Sequence, residues 1–210
     1  MARSASPRRT SASAPRVWQR MLSGRRLNLL DPSPLDIEIE DIAHGLARVA
    51  RWNGQTLGAQ IYSVAQHSLL VDAIAGHFAP SISMATRRAV FLHDAAEYVI
   101  GDIISPFKSV IGEAYRETES RILEAVMRRF ELPAPMTKIA HDLAKKADRA
   151  AAYLEATRLA GFSESEANDI FGAPPPFASP IYALLNPWGA EEAKSRFLTR
   201  FAELTPVARA

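Results

Sequence analysis

Residues 91–102 read FLHDAAEYVIGD, a run fit for a buried helix except that it sets His93 beside Asp94 and follows them with Glu97. Unpaired charges in such a setting are costly, so groups of this kind are either matched to a partner or turned to water. At helical spacing residues 93 and 97 lie four apart and residues 94 and 97 three apart, so the imidazole and both carboxylates project from one side within a single turn. A second imidazole, His67, falls on the apolar face of the preceding segment SVAQHSLLVDAIAGHF, one turn before Leu70 and Val71. Two imidazoles with carboxylates suit a near-octahedral divalent ion such as Mn²⁺, Co²⁺, Fe²⁺ or Mg²⁺. The plainer reading is a satisfied core histidine beside a solvated carboxylate.

Composition narrows the chemistry. The 210-residue chain has no cysteine, which excludes disulfides, zinc–thiolate sites, iron–sulfur clusters and thiol nucleophiles together, and leaves nitrogen and oxygen as the metal ligands. Its apolar content of 48% is ordinary for a globular protein of one domain. The net charge of +2 is unevenly spread: residues 1–30 hold Arg3, Arg8, Arg9, Arg16, Arg20, Arg25 and Arg26 with no acid, so residues 31–210 carry −5. The basic character therefore belongs to a Ser/Ala/Arg/Pro leader, expected to be a disordered tail over residues 1–25 ahead of a single domain over 26–210. The leader lacks the apolar core of a secretory signal, and no run of about 18 apolar residues follows, so a cytoplasmic protein without a membrane partner is expected, with an organelle transit peptide as the other reading of the leader. With the basic charge confined to the leader, no nucleic-acid partner is expected.

The elements that must position these groups read as helices. Ile42, Leu46 and Val49 form a first stripe, ended by Asn53-Gly54. Ser63 and Gln66 have the spacing of a capping box ahead of a helix with Leu70, Val71, Ile74 and Phe78 on its face. A helix from about Thr86 to Ile100, stopped by Gly101, is expected to be central. Two long helices follow, about Glu113 to Phe130 and about Met136 to Ala160, the second with Ile139, Leu143, Ala147, Ala150 and Leu154 as its stripe. Ala193, Phe197, Phe201 and Leu204 mark a last helix. With no βαβ alternation and no glycine-rich phosphate loop, the pattern predicts an all-α bundle of about six or seven helices.

His67, the HDAAE run and the KKAD run at 145–148 resemble the HD-domain metal-dependent phosphohydrolases, whose ligands come in the order H…HD…D. The blocks RVARWNGQ, YSVAQHS, HDAAEYVIGDIISPFK, YRETES and KKADRAAAY, across roughly residues 36–160, are similar to the bacterial HD-domain 5′-deoxynucleotidases and their phage-encoded deoxynucleoside triphosphohydrolase relatives. Several blocks in the right order are far more specific than an HD dipeptide, which recurs here at His141-Asp142.

The resemblance implies that His67, His93, Asp94 and Asp148 hold one divalent metal ion. Periodicity alone would turn Asp148 towards solvent and leaves Asp142 as a rival; the KAD block favours Asp148. Glu97 is implied as the group that takes a proton from water or holds it in line, with a carboxylate that merely orients a ligand histidine as the alternative. Asp102, in the Gly-Asp pair, would protonate the leaving oxygen or position the sugar. Arg51, Trp52 and Lys108 resemble the family's phosphate and nucleotide contacts, with a solvated arginine, a core tryptophan and a surface lysine as the plainer readings. Gln66 stands where the deoxynucleotidases more often have glutamate. His44 and His141 read as surface or satisfied histidines, and His77 lies near a helix end. The implied activity is removal of phosphate from deoxynucleoside 5′-monophosphates, a small-molecule substrate, in a chain that commonly forms homodimers. The alternatives are triphosphate release from deoxynucleoside triphosphates at the same metal site, and a non-catalytic nucleotide-binding helical module.

Overall fold

The computed structural model describes residues 16–205 and is all-α apart from one small hairpin. Residues 1–15, most of the expected tail, lie outside the described residues. The tail boundary expected at residue 25 is corrected for the rest: β1 (Trp18–Arg20) pairs antiparallel with β2 (Arg26–Asn28), and Leu27 is wholly buried. The backbone N–H and the hydroxyl of Ser23 donate to the Asp41 carboxylate at 3.0 and 2.5 Å, which fastens this hairpin to the first helix.

Seven helices of eight residues or more are described: α1 (Ile39–Leu46), α2 (Val64–Phe78), α3 (Met84–Phe91), α6 (Glu113–Arg129), α7 (Lys138–Arg158), α8 (Glu164–Phe171) and α10 (Ala190–Leu204). Three short ones join them: α4 (Glu97–Ile100), α5 (Ser105–Ile111) and α9 (Ser179–Ala183). No described helix is long and apolar enough to cross a membrane.

The central helix is α2, not the 86–100 segment. Val64 and Ala65 join a core with Ile42, Leu46, Ala95, Ala96, Ile122, Val126 and Phe197, whereas Leu70, Val71, Ile74 and Ala75 join a second core with Val90, Ala147, Ala151 and Leu154. The stripe that α7 presents is built mostly of alanines, Ala140, Ala144, Ala147 and Ala151, which let two helices approach closely; Ile139, expected inside, is 70% exposed at the first turn.

The expected helix over 86–100 is broken. α3 ends at Phe91, and residues 92–96 run through turns with three-residue bonds: Ala95 N–H to Leu92 O at 3.0 Å and Glu97 N–H to Asp94 O at 3.0 Å. Such bonds wind the chain more tightly, so residues three apart eclipse one another. Asp94 and Glu97 therefore keep a shared direction, while the four-residue relation between His93 and Glu97 lapses. Gly45 lets α1 lie against the next short helix, since a Cβ there would stand 2.7 Å from Tyr98 O. Gly101, at φ 78°, then turns the chain out of α4 towards Asp102.

Candidate metal centre

Ser63 caps α2, its hydroxyl accepting from Gln66 N–H, and so places His67 in the first turn with no exposed surface. The reciprocal half of the capping box does not form. The Gln66 amide nitrogen instead donates to Leu184 O at 2.7 Å and Asn186 O at 2.6 Å, and its oxygen accepts from Trp188 N–H at 3.1 Å. An amide can both donate and accept here, which a carboxylate cannot.

Four side chains meet at one point. His67 Nε2 lies 3.4 Å from Asp94 Oδ2 and 3.2 Å from Asp148 Oδ1, and His93 Nε2 lies 3.2 Å from Asp94 Oδ2. One ligand atom from each of His67, His93 and Asp148 falls within 4.8 Å of the others. Both Nε2 atoms are buried without a hydrogen-bond partner of proper geometry. Their other ring nitrogens are engaged: His67 Nδ1 with Glu155 Oε1 at 2.6 Å and His93 Nδ1 with Val90 O at 3.0 Å. Acceptors at Nδ1 put the proton there and leave the Nε2 lone pairs aimed inward, the arrangement of metal-ligating histidines. The chemistry of the donor set therefore fits a divalent cation. Asp148, from α7, lies 3.2 Å from His67 Nε2, whereas Asp142 is exposed and paired with Lys138.

The surrounding carboxylates favour positive charge at this point. Burial alone would discharge His67, and Arg51 opposes its charge as well, yet Glu155, Asp148 and Asp94 outweigh both and raise its pKa well above the ordinary range. Burial would raise Asp94 and Asp148, but the neighbouring imidazoles hold both low. Glu97, only 2% exposed, is pushed up to about 10 by burial and by the charges of Asp94 and Asp102. Its Oε2 is buried without a partner, and its Oε1 stands 3.7 Å from Lys108 Nζ. The carboxylates of Asp94, Glu97, Asp102, Asp148 and Glu155 thus converge on a region whose fixed cations are Arg51 and Lys108.

The remaining expected residues are near but differently employed. Arg51 Nη1 donates to Asp102 Oδ2 and its Nε to Glu155 Oε2, both at 3.2 Å, so Asp102 is held by an arginine. Trp52 is a non-glycine residue in the left-handed region, at φ 56° and ψ 28°, as is Asn53 at φ 51°. Strain of this kind costs on the order of 1–3 kcal/mol and persists where surroundings over-determine it. Here Trp52 Nε1 donates to Glu155 Oε2 at 2.9 Å and its ring packs on Phe162 and Phe171, so the indole is a wall of the site more than a free stacking surface. Arg51 N–H to Tyr62 O at 2.8 Å and a bridge between Ala50 and Ser63 tie this turn to the start of α2. Lys108 Nζ donates to Glu119 at 2.9 Å and stays close to Glu97. His44 is half-buried and His141 is exposed, and neither joins the centre.

Glu155 is the residue that sequence reasoning missed. It lies seven residues after Asp148 on α7, two turns along the same face, and that spacing was the available signal.

No family model matches the chain. The uncharacterized protein RCAP_rcc00048 of Rhodobacter capsulatus is 58% identical over 161 residues, which span 77% of this chain and 82% of that protein. Among solved structures, the cyanophage S-2L HD phosphohydrolase DatZ, bound to dA and one catalytic Zn²⁺ ion, is similar with a TM-score of 0.49 and 20% identity, over 80% of this chain and 95% of that one.

Proposed function

We propose that this chain, which belongs to the same family as the uncharacterized Rhodobacter capsulatus protein, is a divalent-metal-dependent phosphohydrolase of the HD type that removes phosphate from deoxynucleoside 5′-monophosphates. The observation that carries the reading is the pair of buried, unpartnered Nε2 atoms of His67 and His93 meeting Asp94 and Asp148. These four residues would hold the ion. When bound, a divalent ion supplies Lewis acidity, polarising a phosphoryl oxygen and acidifying water.

The chain's own groups do the rest. Glu97 is next to the ligands and has one unengaged oxygen, which suits it to hold a water in line and take its proton. Burial, Asp94 and Asp102 together favour the protonated form of Glu97, and a bound cation that screened Asp94 would weaken one of these three contributions. Arg51 spends Nε and Nη1 on Glu155 and Asp102 and makes no hydrogen bond through Nη2 among the described residues, which leaves a donor for a phosphate oxygen. Lys108, whose Nζ lies 3.7 Å from Glu97 Oε1, would add a point charge for the same anion. Asp102 accepts from Arg51 Nη1 and would orient it towards the phosphate.

The test is release of inorganic phosphate, pyrophosphate or tripolyphosphate from a panel of deoxynucleoside mono- and triphosphates with Mn²⁺, Co²⁺ and Mg²⁺. Phosphate from the monophosphates is expected. Tripolyphosphate from the triphosphates would reassign the substrate while keeping the site, and nucleotide binding without any hydrolysis would identify a binding module.

A further inference from the structure

We propose that Glu155 is a positioning residue that ties the ligand histidine of the metal centre to the arginine of the anion side, so that each sets the geometry of the other. The inference rests on the metal-dependent reading above and adds a residue to it. Glu155 has no exposed surface and divides its two oxygens between two tasks. Oε1 is 2.6 Å from His67 Nδ1, and Oε2 accepts from Arg51 Nε at 3.2 Å and Trp52 Nε1 at 2.9 Å. The bond to Nδ1 fixes which ring nitrogen carries a proton and aims Nε2 at Asp94 and Asp148. The pair of bonds on Oε2 holds the guanidinium plane, and Arg51 Nη1 carries the connection on to Asp102 at 3.2 Å. A contiguous path therefore runs from His67 on α2, through Glu155 on α7, to the turn at Arg51–Gly54 and the segment after α4. Any preference of the centre for its ion is then linked to the orientation of Arg51, and the link acts in both directions.

A buried carboxylate on an arginine can also be a structural ion pair, and this protein contains one for comparison. Asp72 on α2, 3% exposed, accepts from Arg87 Nε at 2.7 Å and from Arg200 Nε at 2.8 Å and touches no ligand of the centre. The experiment compares Glu155→Gln, Glu155→Asp and Asp72→Asn with the wild-type full chain. Mn²⁺ affinity is read by calorimetry, KM and kcat with a deoxynucleoside monophosphate, and thermal unfolding without metal. Gln has one acceptor oxygen in place of two and turns its NH₂ towards a donor, so it cannot serve His67, Arg51 and Trp52 together.

The expected result is a Mn²⁺ Kd about 10–100-fold weaker for Glu155→Gln, the usual effect of losing a partner that orients a ligand. KM should rise because Arg51 is also released. Asp72→Asn should unfold at a lower temperature with its Mn²⁺ Kd unchanged. If Glu155→Gln behaves as Asp72→Asn does, Glu155 is structural and the proposal is overturned. Should Glu155→Gln fail to fold, Glu155→Asp decides: it keeps the charge but is one methylene too short for both tasks, and a wild-type Kd for it also overturns the proposal. A wild-type chain that binds no Mn²⁺ sinks the metal reading itself, and this inference with it.

Discussion

Replacing Gln66 by glutamate, the residue more common at this place in the deoxynucleotidases, is expected to destabilise this protein, and to do so more as pH rises. Gln66 is wholly buried, and its NH₂ donates to two carbonyls, Leu184 O and Asn186 O, at 2.7 and 2.6 Å. An ionised carboxylate would face both carbonyls with a negative oxygen, so both bonds are lost and a charge is left without a donor beyond Trp188 N–H. Leaving a buried acceptor unmatched costs about 1–3 kcal/mol, and the two carbonyls are only partly buried, so the lower end applies to each, about 2 kcal/mol in all. Protonation restores one donor, so the introduced carboxyl would have a raised pKa in the folded protein. The sign follows: the folded state binds the proton more tightly than the unfolded chain, whose glutamate titrates at about 4.3, so the penalty grows above that pH by up to about 1.4 kcal/mol per unit until the folded pKa is passed. Urea unfolding of wild type and Gln66→Glu at pH 5, 7 and 8.5 measures it. The variant should lose about 2 kcal/mol at pH 5, about 1 for the bond that protonation does not restore and about 1 from linkage above about pH 4.3, and at least about 3 kcal/mol at pH 8.5. Equal stability of the two proteins at pH 8.5 would refute the reasoning and mean that the 184–188 segment does not depend on this amide.

Three further outcomes follow from the site and its surroundings. Asp148→Ala should abolish tight Mn²⁺ binding while Asp142→Ala, on the exposed Lys138 pair, leaves it intact; calorimetry that reversed the two would move the fourth ligand. Glu97→Gln should lower turnover about 10²–10⁴-fold with metal content kept, by the usual worth of positioned proton transfer, and loss of the metal instead would make Glu97 a support for the ligands. Deleting residues 1–15 should change neither unfolding nor hydrolysis at physiological ionic strength, because that segment has no apolar periodicity with which to dock, whereas a deletion through residue 28 removes the buried Leu27 and should lower the unfolding temperature.

The long helices were legible because each buries a stripe that recurs at helical spacing: Leu70, Val71 and Ile74 on α2, Ile122 and Val126 on α6, and Ala193 and Phe197 on α10 are all in the core. The break at residues 92–96 was not, since no glycine or proline marks it. It is tertiary in origin: Ala95 and Ala96 pack into the core shared with α1. Asp148 illustrates a different limit. Periodicity put it towards solvent, and its side chain is indeed 39% exposed, but the edge of the α7 stripe is also where α2 brings His67 Nε2 to within 3.2 Å.

Glu155, which the sequence did not single out, and Gln66, read as half of a capping box, share a reason for that. Each is a polar residue at helical spacing from a recognised group, and each was open to a local explanation, a charge on a helix face and half of a capping box. What they hold comes from segments far away in the chain, Arg51 and Trp52 for one and residues 184–188 for the other. A local rule accounts for where such a side chain starts and is silent about where it ends. The burial of both, with no exposed surface on either, is what separates a working contact from a solvated one, since a fully buried carboxylate or amide must find its partners within the protein. For Glu155 those partners are three donors on two other elements. His67 is therefore held from behind by the same carboxylate that holds Arg51, and under the proposed coupling a change at either end is felt at the other.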